Sequence, residues 1–217
     1  TQSVENAGDG TVSAAPYGII ARHGEPADLK NFFVLHEGVV SIADGKLSEI
    51  GYSDMPDMDV NRNEGARAEV TQVTENGWIG FTDHYWMTTL IPQQGAPFKQ
   101  AAKYDERRDI YQTEAVLPTL TLAPGETQEV TTQLFAGAKE YETIRDYEDD
   151  GVVRFIDSID WGWFFFLTKP IFWLLHQIHL LIGNMGWSII GLTLIIKAIL
   201  FPLAYKSYVS MAKMKEL

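Results

Sequence analysis

The spacing of hydrophobic and polar positions changes abruptly near residue 160. From Tyr17 onward, short apolar runs alternate with polar positions and are separated by turn residues, mainly Gly, Pro, Asn and Asp. A period of two is typical of strands with one buried face, and regular turns between such strands favour an antiparallel β-sandwich. The first part of the chain is therefore predicted to be mainly β.

Local signals mark the connections within this β region. Asp44-Gly45 and Asn76-Gly77 have the composition of tight hairpin turns, so each is predicted to join two adjacent strands. Residues 139–150 are the one clear helical stretch of this region, and a glycine follows them directly.

The second part of the chain carries a long apolar stretch, W-S-I-I-G-L-T-L-I-I-K-A-I-L-F-P-L, from Trp187 to Leu203. Its polar residues are Ser188, Thr193 and Lys197. An α-helix of this length extends roughly 25–30 Å, which matches the hydrocarbon core of a bilayer. A soluble core helix is usually shorter and polar on one face, so the stretch is predicted to be a transmembrane helix.

Lys197 is the informative residue of this helix, because a charge near the bilayer centre costs about 2.5–3.5 kcal/mol on insertion scales. Lys197 lies nearer the Leu203 end, and Thr193 precedes it by one helical turn on the same face. One interpretation is snorkelling, in which the aliphatic stem lets the ammonium reach the headgroups. The other is a cation held in a water-filled cavity within the membrane, and this helix alone leaves both open.

A second apolar stretch, residues 161–182, contains a narrow polar stripe of two histidines and a glutamine. Thr168 and Pro170 predict an N-cap and a first helical turn, and Gly183 predicts the C-terminal end. The resulting helix, roughly 21 Å long, is too short to span, so it is predicted to lie in the plane of the outer leaflet. The alternative is a second spanning helix that turns back at G-N-M-G.

The tryptophans of the second part also indicate a membrane boundary, because tryptophan is enriched at membrane–water interfaces. The predicted interface residues are Trp161, Trp163, Trp173 and Trp187.

Charge is divided unevenly along the chain. Residues 1–160 hold 12 Lys/Arg and 28 Asp/Glu, a net charge of −16, whereas residues 161–217 have a net charge of +4. Lysines follow the predicted transmembrane helix closely, so the positive-inside rule places the C-terminus in the cytoplasm and the β region outside. The acidic surface argues against nucleic-acid binding, and the absence of cysteine excludes disulfides and thiolate metal sites.

The β region offers little candidate chemistry. Its histidines are isolated, without the spacing of a metal site or a catalytic dyad, and it has no Gly-rich phosphate loop. Trp78, Tyr85 and Trp86 could line a sugar site, although aromatic residues on sandwich strands more often belong to the core. The sequence therefore predicts neither an enzyme nor a cofactor.

Three motifs of the second part closely resemble the YidC family of membrane protein insertases. They are W-G-W-F-F-F-L-T-K-P-I-F-W-L-L-H, G-N-M-G-W-S-I-I-G-L-T-L-I-I-K-A-I-L-F-P-L and K-S-Y-V-S-M-A-K-M-K-E-L. Upstream, G-W-I-G-F-T-D-H-Y-W-M-T-T-L-I-P and L-F-A-G-A-K-E-Y resemble the later part of the large periplasmic domain of this family. The similarity extends from about Tyr17 to Leu217, and the presence of the large domain indicates the Gram-negative type.

The resemblance implies a β-supersandwich similar to galactose mutarotase domains, without their sugar chemistry. It implies a longer protein, with a transmembrane helix before Thr1 and further transmembrane helices after Leu217. It also implies the bacterial inner membrane, with residues 1–183 on the periplasmic side and the C-terminus in the cytoplasm.

The resemblance also implies a mechanism. In this family a basic residue at the position of Lys197, usually Arg, faces a hydrophilic groove within the membrane, and Thr193 matches a polar position that lines the same groove. The groove receives the polar or acidic end of a nascent membrane protein, whose hydrophobic helix then enters the lipid bilayer. The implied partners are nascent membrane proteins, the Sec translocon, the lipid bilayer and, through cytoplasmic regions outside this chain, the ribosome.

Together these interpretations divide the chain into five segments. They are a flexible start (1–16), the C-terminal part of a periplasmic β-sandwich domain (17–155), an interfacial amphipathic helix (156–183), a transmembrane helix (184–205) and the start of a cytoplasmic helical hairpin (206–217). The competing hypothesis is a membrane-anchored periplasmic domain that binds carbohydrate or docks a partner.

Overall fold

The computed structural model describes residues 1–27, 29 and 35–215, without the side chains of 210 and 212–215. The chain forms two compact units, Thr1–Asp160 and Trp161–Leu217. The first unit is mainly β and the second is helical, as the hydrophobic pattern predicts.

The first unit contains two antiparallel five-stranded sheets among its described residues, named here the first sheet (β3-β11-β10-β7-β6) and the second sheet (β14-β9-β8-β4-β5). Two smaller strand pairs, β1-β13 and β12-β2, accompany them. The strands are β1 (Gln2–Glu5), β2 (Val12–Ala14), β3 (Tyr17–His23), β4 (Gly38–Ala43), β5 (Lys46–Gly51), β6 (Val60–Asn61), β7 (Ala66–Val73), β8 (Gly77–Thr82), β9 (Trp86–Pro92), β10 (Phe98–Asp105), β11 (Ile110–Val116), β12 (Leu120–Leu122), β13 (Thr127–Val130) and β14 (Thr132–Ala138).

The two large sheets pack face to face around one apolar core, so the predicted sandwich is confirmed. Side chains from both sheets fill this core, among them Val39 and Phe81 from the second sheet and Phe98 and Tyr111 from the first. Every residue of β8 is buried, because the second sheet is covered on both faces. The relation to galactose mutarotase domains stays a prediction.

The outer face of the second sheet is covered by a short helical segment. Helix α1 (Tyr141–Asp149) and a 3-10 helix (Phe155–Ser158) pack Ile144 and Phe155 against Trp78 in a second apolar cluster. The helix predicted at residues 139–150 is thus confirmed within two residues at each end. Its amphipathic pattern reflects this packing, because one face is buried on the sheet and the other meets water.

The Asp44-Gly45 hairpin is confirmed. Both residues have positive φ angles, 48° and 81°, and they join β4 to β5 as a two-residue loop. Two successive left-handed residues give a turn whose twist matches that of the strands, which explains the preference for Asp followed by Gly.

The predicted hairpin at Asn76-Gly77 is wrong. Strand β7, before this dipeptide, belongs to the first sheet, and β8, after it, belongs to the second, so the chain crosses between sheets. Gly77 lies within β8, opposite Ala43, and a Cβ atom there would collide with the carbonyl oxygen of Ile42. The glycine is required for close strand approach and not for a turn.

The start of the chain also differs from its predicted flexibility. Residues 1–16 contain β1, which pairs with β13, and β2, which pairs with β12. The side-chain amide of Asn6 donates hydrogen bonds to the carbonyl oxygens of Gly10 and Leu122, at 2.8 and 3.0 Å. Polar composition alone suggested flexibility, whereas pairing with β12 and β13, which are distant in sequence, fixes the segment.

The second unit contains helices α2 (Phe165–Ile182) and α3 (Met185–Lys215). Gly183 ends α2 as predicted, with φ 73° and its N–H bonded to the carbonyl oxygen of His179. Thr168, however, is not the N-cap, because α2 begins at Phe165. The Thr168 hydroxyl instead donates to the carbonyl oxygen of Trp161 at 2.8 Å.

Candidate functional site

Helices α2 and α3 both have the length and composition of membrane spans. The mean hydropathy is 1.3 for Phe165–Ile182 and 2.0 for Met185–Val209, with 0% and 11% of the residues buried. The core helix of a soluble protein would be mostly buried instead. The predicted spanning stretch, Trp187–Leu203, lies wholly within α3, which continues through Pro202.

The end of α2 packs against the beginning of α3. Ser188 and Leu192 are the buried residues of this part of α3, and the Ser188 hydroxyl donates to the Asn184 carbonyl oxygen at 2.8 Å. A Cβ atom on Gly191 would lie 3.5 Å from Cγ2 of Ile178, so the small residue lets the helices approach closely. A role in helix packing was not predicted for Ser188 or Gly191, although small residues one turn apart are a sequence signal for such packing.

The two predicted groove residues, Thr193 and Lys197, lie one turn apart and both are exposed. At 3.6 residues per turn, Lys197 is roughly 120–180° around the α3 axis from Ser188, Gly191 and Leu192. The pair therefore faces away from α2. The Thr193 hydroxyl donates to the carbonyl oxygen of Ile189 at 2.8 Å, within its own helix.

Charge around Lys197 is sparse. Between Trp161 and Leu217 the sequence holds one acidic residue, Glu216, which lies outside the described residues. Among the described residues of the helical unit, no carboxylate is present to neutralise the Lys197 ammonium. An uncompensated cation on an apolar helix attracts negative charge more strongly as the surrounding water is removed.

The four predicted interface tryptophans differ in their surroundings. Trp161 is half-buried and lies under the Lys169 ammonium, 5.8 Å from the ring centroid, whereas Trp163 is 92% exposed. Trp173 and Trp187 are also exposed. Their placement at a membrane boundary stays a prediction.

Helix α2 is longer than the sequence predicts. It has 18 residues instead of about 14, because it begins five residues before Pro170. Its length of roughly 27 Å satisfies the minimum for a span. The position of α2 in the plane of the outer leaflet therefore remains a prediction, beside the alternative of a second spanning helix.

The aromatic residues of the β unit do not form one sugar-binding surface. Trp78 is fully buried, and its indole N–H donates to the Val153 carbonyl oxygen at 3.1 Å. Trp86 lines a shallow pocket of about 240 Å³, in which Arg22 and Asp83 already form an ion pair at 3.0 Å. Of the three candidates, Tyr85 and Trp86 are exposed, and the polar groups beside them bind one another.

Comparison with known proteins gives matches along the whole chain. The family model described as the YidC periplasmic domain matches residues 1–174, and the model described as the 60Kd inner membrane protein matches residues 177–217. A protein of Ruegeria pomeroyi named membrane protein insertase YidC is 72% identical over 222 residues, covering 100% of this chain and 36% of the relative.

Proteins with the same name from two other bacteria match this chain with similar identity and coverage. The relative from Roseobacter denitrificans is 67% identical, with 100% of this chain and 36% of the relative covered, and that from Jannaschia is 63% identical, with 100% and 38% covered. The chain thus spans a little more than a third of the length of these curated relatives.

Proposed function

Because the chain belongs to the YidC family of membrane protein insertases, we propose that it helps to insert and fold proteins of the bacterial inner membrane. In this proposal the β unit lies in the periplasm and the helical unit in the membrane. The family is one of insertases and not of known enzymes. The driving force is the burial of the substrate's apolar helix in lipid, so no bond is broken.

The observation that carries the proposal is the position of Lys197 on α3. It is the single charged residue between Trp187 and Leu203, it is exposed, and it faces away from α2 together with Thr193. A side of a membrane helix that carries a cation and a hydroxyl is suited to a hydrophilic cavity and not to lipid. We assign this side of α3 to the wall of an intramembrane groove.

The chemistry of the groove follows from this charge. The acidic or polar end of a nascent membrane protein would be attracted to the Lys197 ammonium, because few other charges lie nearby. Lysine carries a compact charge without the bidentate fork of arginine, so it attracts a carboxylate without fixing its orientation. The substrate is then released sideways once its apolar helix reaches lipid.

Orientation in the membrane follows from the lysines at the end of α3. Lys206, Lys213 and Lys215 favour a cytoplasmic C-terminus, which leaves residues 1–183 on the periplasmic side. In this orientation α2 lies along the outer leaflet, because a second span would return the acidic β unit to the side of these lysines. Cooperation with the Sec translocon and contact with the ribosome belong to this proposal as well.

Charge reversal in the intact insertase tests the proposal. Lys197→Glu should abolish insertion of substrates with acidic tails, because the groove would then repel them, whereas Lys197→Arg should retain it. Lys206→Glu, beyond the apolar stretch, is the control for changing one charge on the same helix, and Lys213 and Lys215 still favour a cytoplasmic C-terminus in this variant. Protease protection of a reporter substrate in cells depleted of the native insertase measures insertion, and immunoblotting checks protein levels. Full insertion by Lys197→Glu at normal levels would refute the groove role.

A further inference from the structure

One end of the second sheet is where the chain leaves the β unit. The register places Gly38 of β4 opposite Thr82 of β8, and Trp86 of β9 opposite Ala138 of β14, so these four strand ends lie at the same edge of the unit. Asp160, the last residue of the unit, is bound there, because its carboxylate accepts the His36 N–H at 2.8 Å.

Two large aromatic side chains project from this end. Tyr85, in the turn between β8 and β9, is 66% exposed, and Trp86, the first residue of β9, is 64% exposed. Among the described aromatic residues of the β unit, the other one with a large exposed area is Tyr17, at the opposite end of β3. Exposure of two adjacent aromatic rings costs hydration free energy unless another surface covers them.

The turn that carries these rings is held firmly in place. The Asp83 N–H donates to the Trp86 carbonyl oxygen at 2.8 Å, and the Lys139 N–H donates to that of Tyr85 at 2.9 Å. The Asp83 carboxylate also accepts a hydrogen bond from the Tyr52 hydroxyl at 3.1 Å. Both the backbone of the turn and the Asp83 side chain form hydrogen bonds. The turn therefore presents the two rings in a fixed position.

The covalent chain keeps this end near the membrane. Four residues lie between Asp160 and Phe165, the first residue of α2, so five Cα–Cα steps connect the two residues and span at most about 18 Å. Tyrosine and tryptophan are the side chains that partition most readily into the headgroup layer. We propose that Tyr85 and Trp86 are an interfacial anchor, inserting into the headgroup layer of the outer leaflet, along which α2 lies and from which α3 enters the membrane. This rests on the membrane placement of the helices proposed above.

The charges around the anchor indicate how it binds. Asp83 is paired with Arg22, and the Lys139 ammonium is half-buried, where it donates to the Thr82 hydroxyl at 2.9 Å. Desolvation lowers the pKa of Lys139, although nearby carboxylates oppose the shift. With the Lys139 cation recessed among acids, the described residues of this surface carry no excess positive charge for anionic lipid. The anchor should therefore bind through its rings, and salt should have little effect.

The absence of cysteine from the sequence makes the test direct. Glu140 is exposed and next to Lys139, so a fluorophore attached to the thiol of Glu140→Cys reports on the anchor while the Tyr85 and Trp86 rings are kept. Lys46→Cys is the matched control, because Lys46 is exposed at the opposite end of the β4–β5 hairpin, roughly 17–20 Å away. Leu194→Cys, exposed on α3, reports on membrane insertion itself. The whole chain is reconstituted in phosphatidylcholine vesicles that contain nitroxide-labelled lipid.

With headgroup-labelled lipid, fluorescence at position 140 should fall about twofold, as for a probe at the headgroup boundary, and fluorescence at position 46 should be unchanged. The double change Tyr85→Ser and Trp86→Ser should remove the quenching at 140, and Tyr85→Trp should preserve it. Equal quenching at 140 and 46, or quenching that survives the serine changes, would overturn the anchor. Loss of acyl-chain quenching at 194 would overturn the membrane placement instead, so the two failures are distinguishable.

Discussion

The carboxylate of Asp44 accepts a hydrogen bond from the backbone N–H of Thr74 at 2.9 Å, although thirty positions separate the two residues. The same carboxylate accepts the N–H groups of Glu75 and Asn76, at 2.9 and 3.3 Å. The tip of the β4–β5 hairpin thereby holds the segment in which the chain crosses from the first sheet to the second. These bonds are stronger to the ionised carboxylate, so they lower the pKa of Asp44 to about 2.

This contact predicts how the β unit responds to acid. A carboxylate whose pKa is lowered on folding stabilises the protein above its unfolded pKa of about 4, and this stabilisation is lost as the pH falls through about 2. Asp44→Asn should lower the melting temperature at pH 7 and weaken its dependence on pH between 4 and 2. Asparagine suits the comparison because it also tolerates a positive φ angle. Thermal unfolding in detergent, followed by circular dichroism, measures both effects, and an unchanged acid response would contradict the assignment.

A second prediction concerns an ion-pair cluster on the first sheet, formed by Glu64, Lys99, Lys103 and Glu114. The Lys103 ammonium contacts both carboxylates and lies 2.6 Å from that of Glu114, whereas Lys99 approaches Glu64 at 2.7 Å and Glu114 at 3.6 Å. The side chains of Lys103 and both glutamates are mostly buried. Removal of Lys103 would therefore leave two poorly solvated carboxylates side by side.

Lys103→Met should reduce the free energy of unfolding by about 1–3 kcal/mol, because it breaks a largely buried network. Lys99→Met is the matched control, and its cost should be below about 1 kcal/mol, as for more exposed pairs. Urea denaturation at pH 7 in detergent measures the difference. If Lys99→Met cost as much as Lys103→Met, the two lysines would share the charge compensation equally.

The third prediction concerns the contact between α2 and α3. Because Cγ2 of Ile178 lies 3.5 Å from a Cβ atom placed on Gly191, the two Cβ atoms would be at most about 5 Å apart, close to disulfide range. The double variant Ile178→Cys with Gly191→Cys should form a disulfide under mild oxidation, detected by protease cleavage between the helices and electrophoresis. The control is the double variant Ile178→Cys with Leu194→Cys, because Leu194 lies on α3 like Gly191 but is exposed. Equal crosslinking of both pairs would mean that the helices lack a fixed packing face.

Two local predictions show what a sequence signal can and cannot specify. Asp44-Gly45 is a turn because its positive φ angles are a property of those residues and their immediate neighbours. Asn76-Gly77 has the same composition, yet Gly77 is a strand residue chosen for its lack of a side chain. A glycine can allow a positive φ angle in a turn or the close approach of another backbone. At Gly77 the backbone of β4 lies so near that the second property is the one required.

Local pattern alone therefore determined the two-part division of this chain, the strand periodicity and the apolar length of α3. These properties depend on neighbouring residues and on the solvent each surface meets, so they can be read along the sequence. The tertiary structure decided which sheet each strand joins and which side of α3 is covered by α2. It also decided that residues 1–16 form paired strands. It also separated buried Trp78 from exposed Trp86, eight residues later. Those outcomes depend on contacts between distant segments, whose free energies are not encoded at any single position.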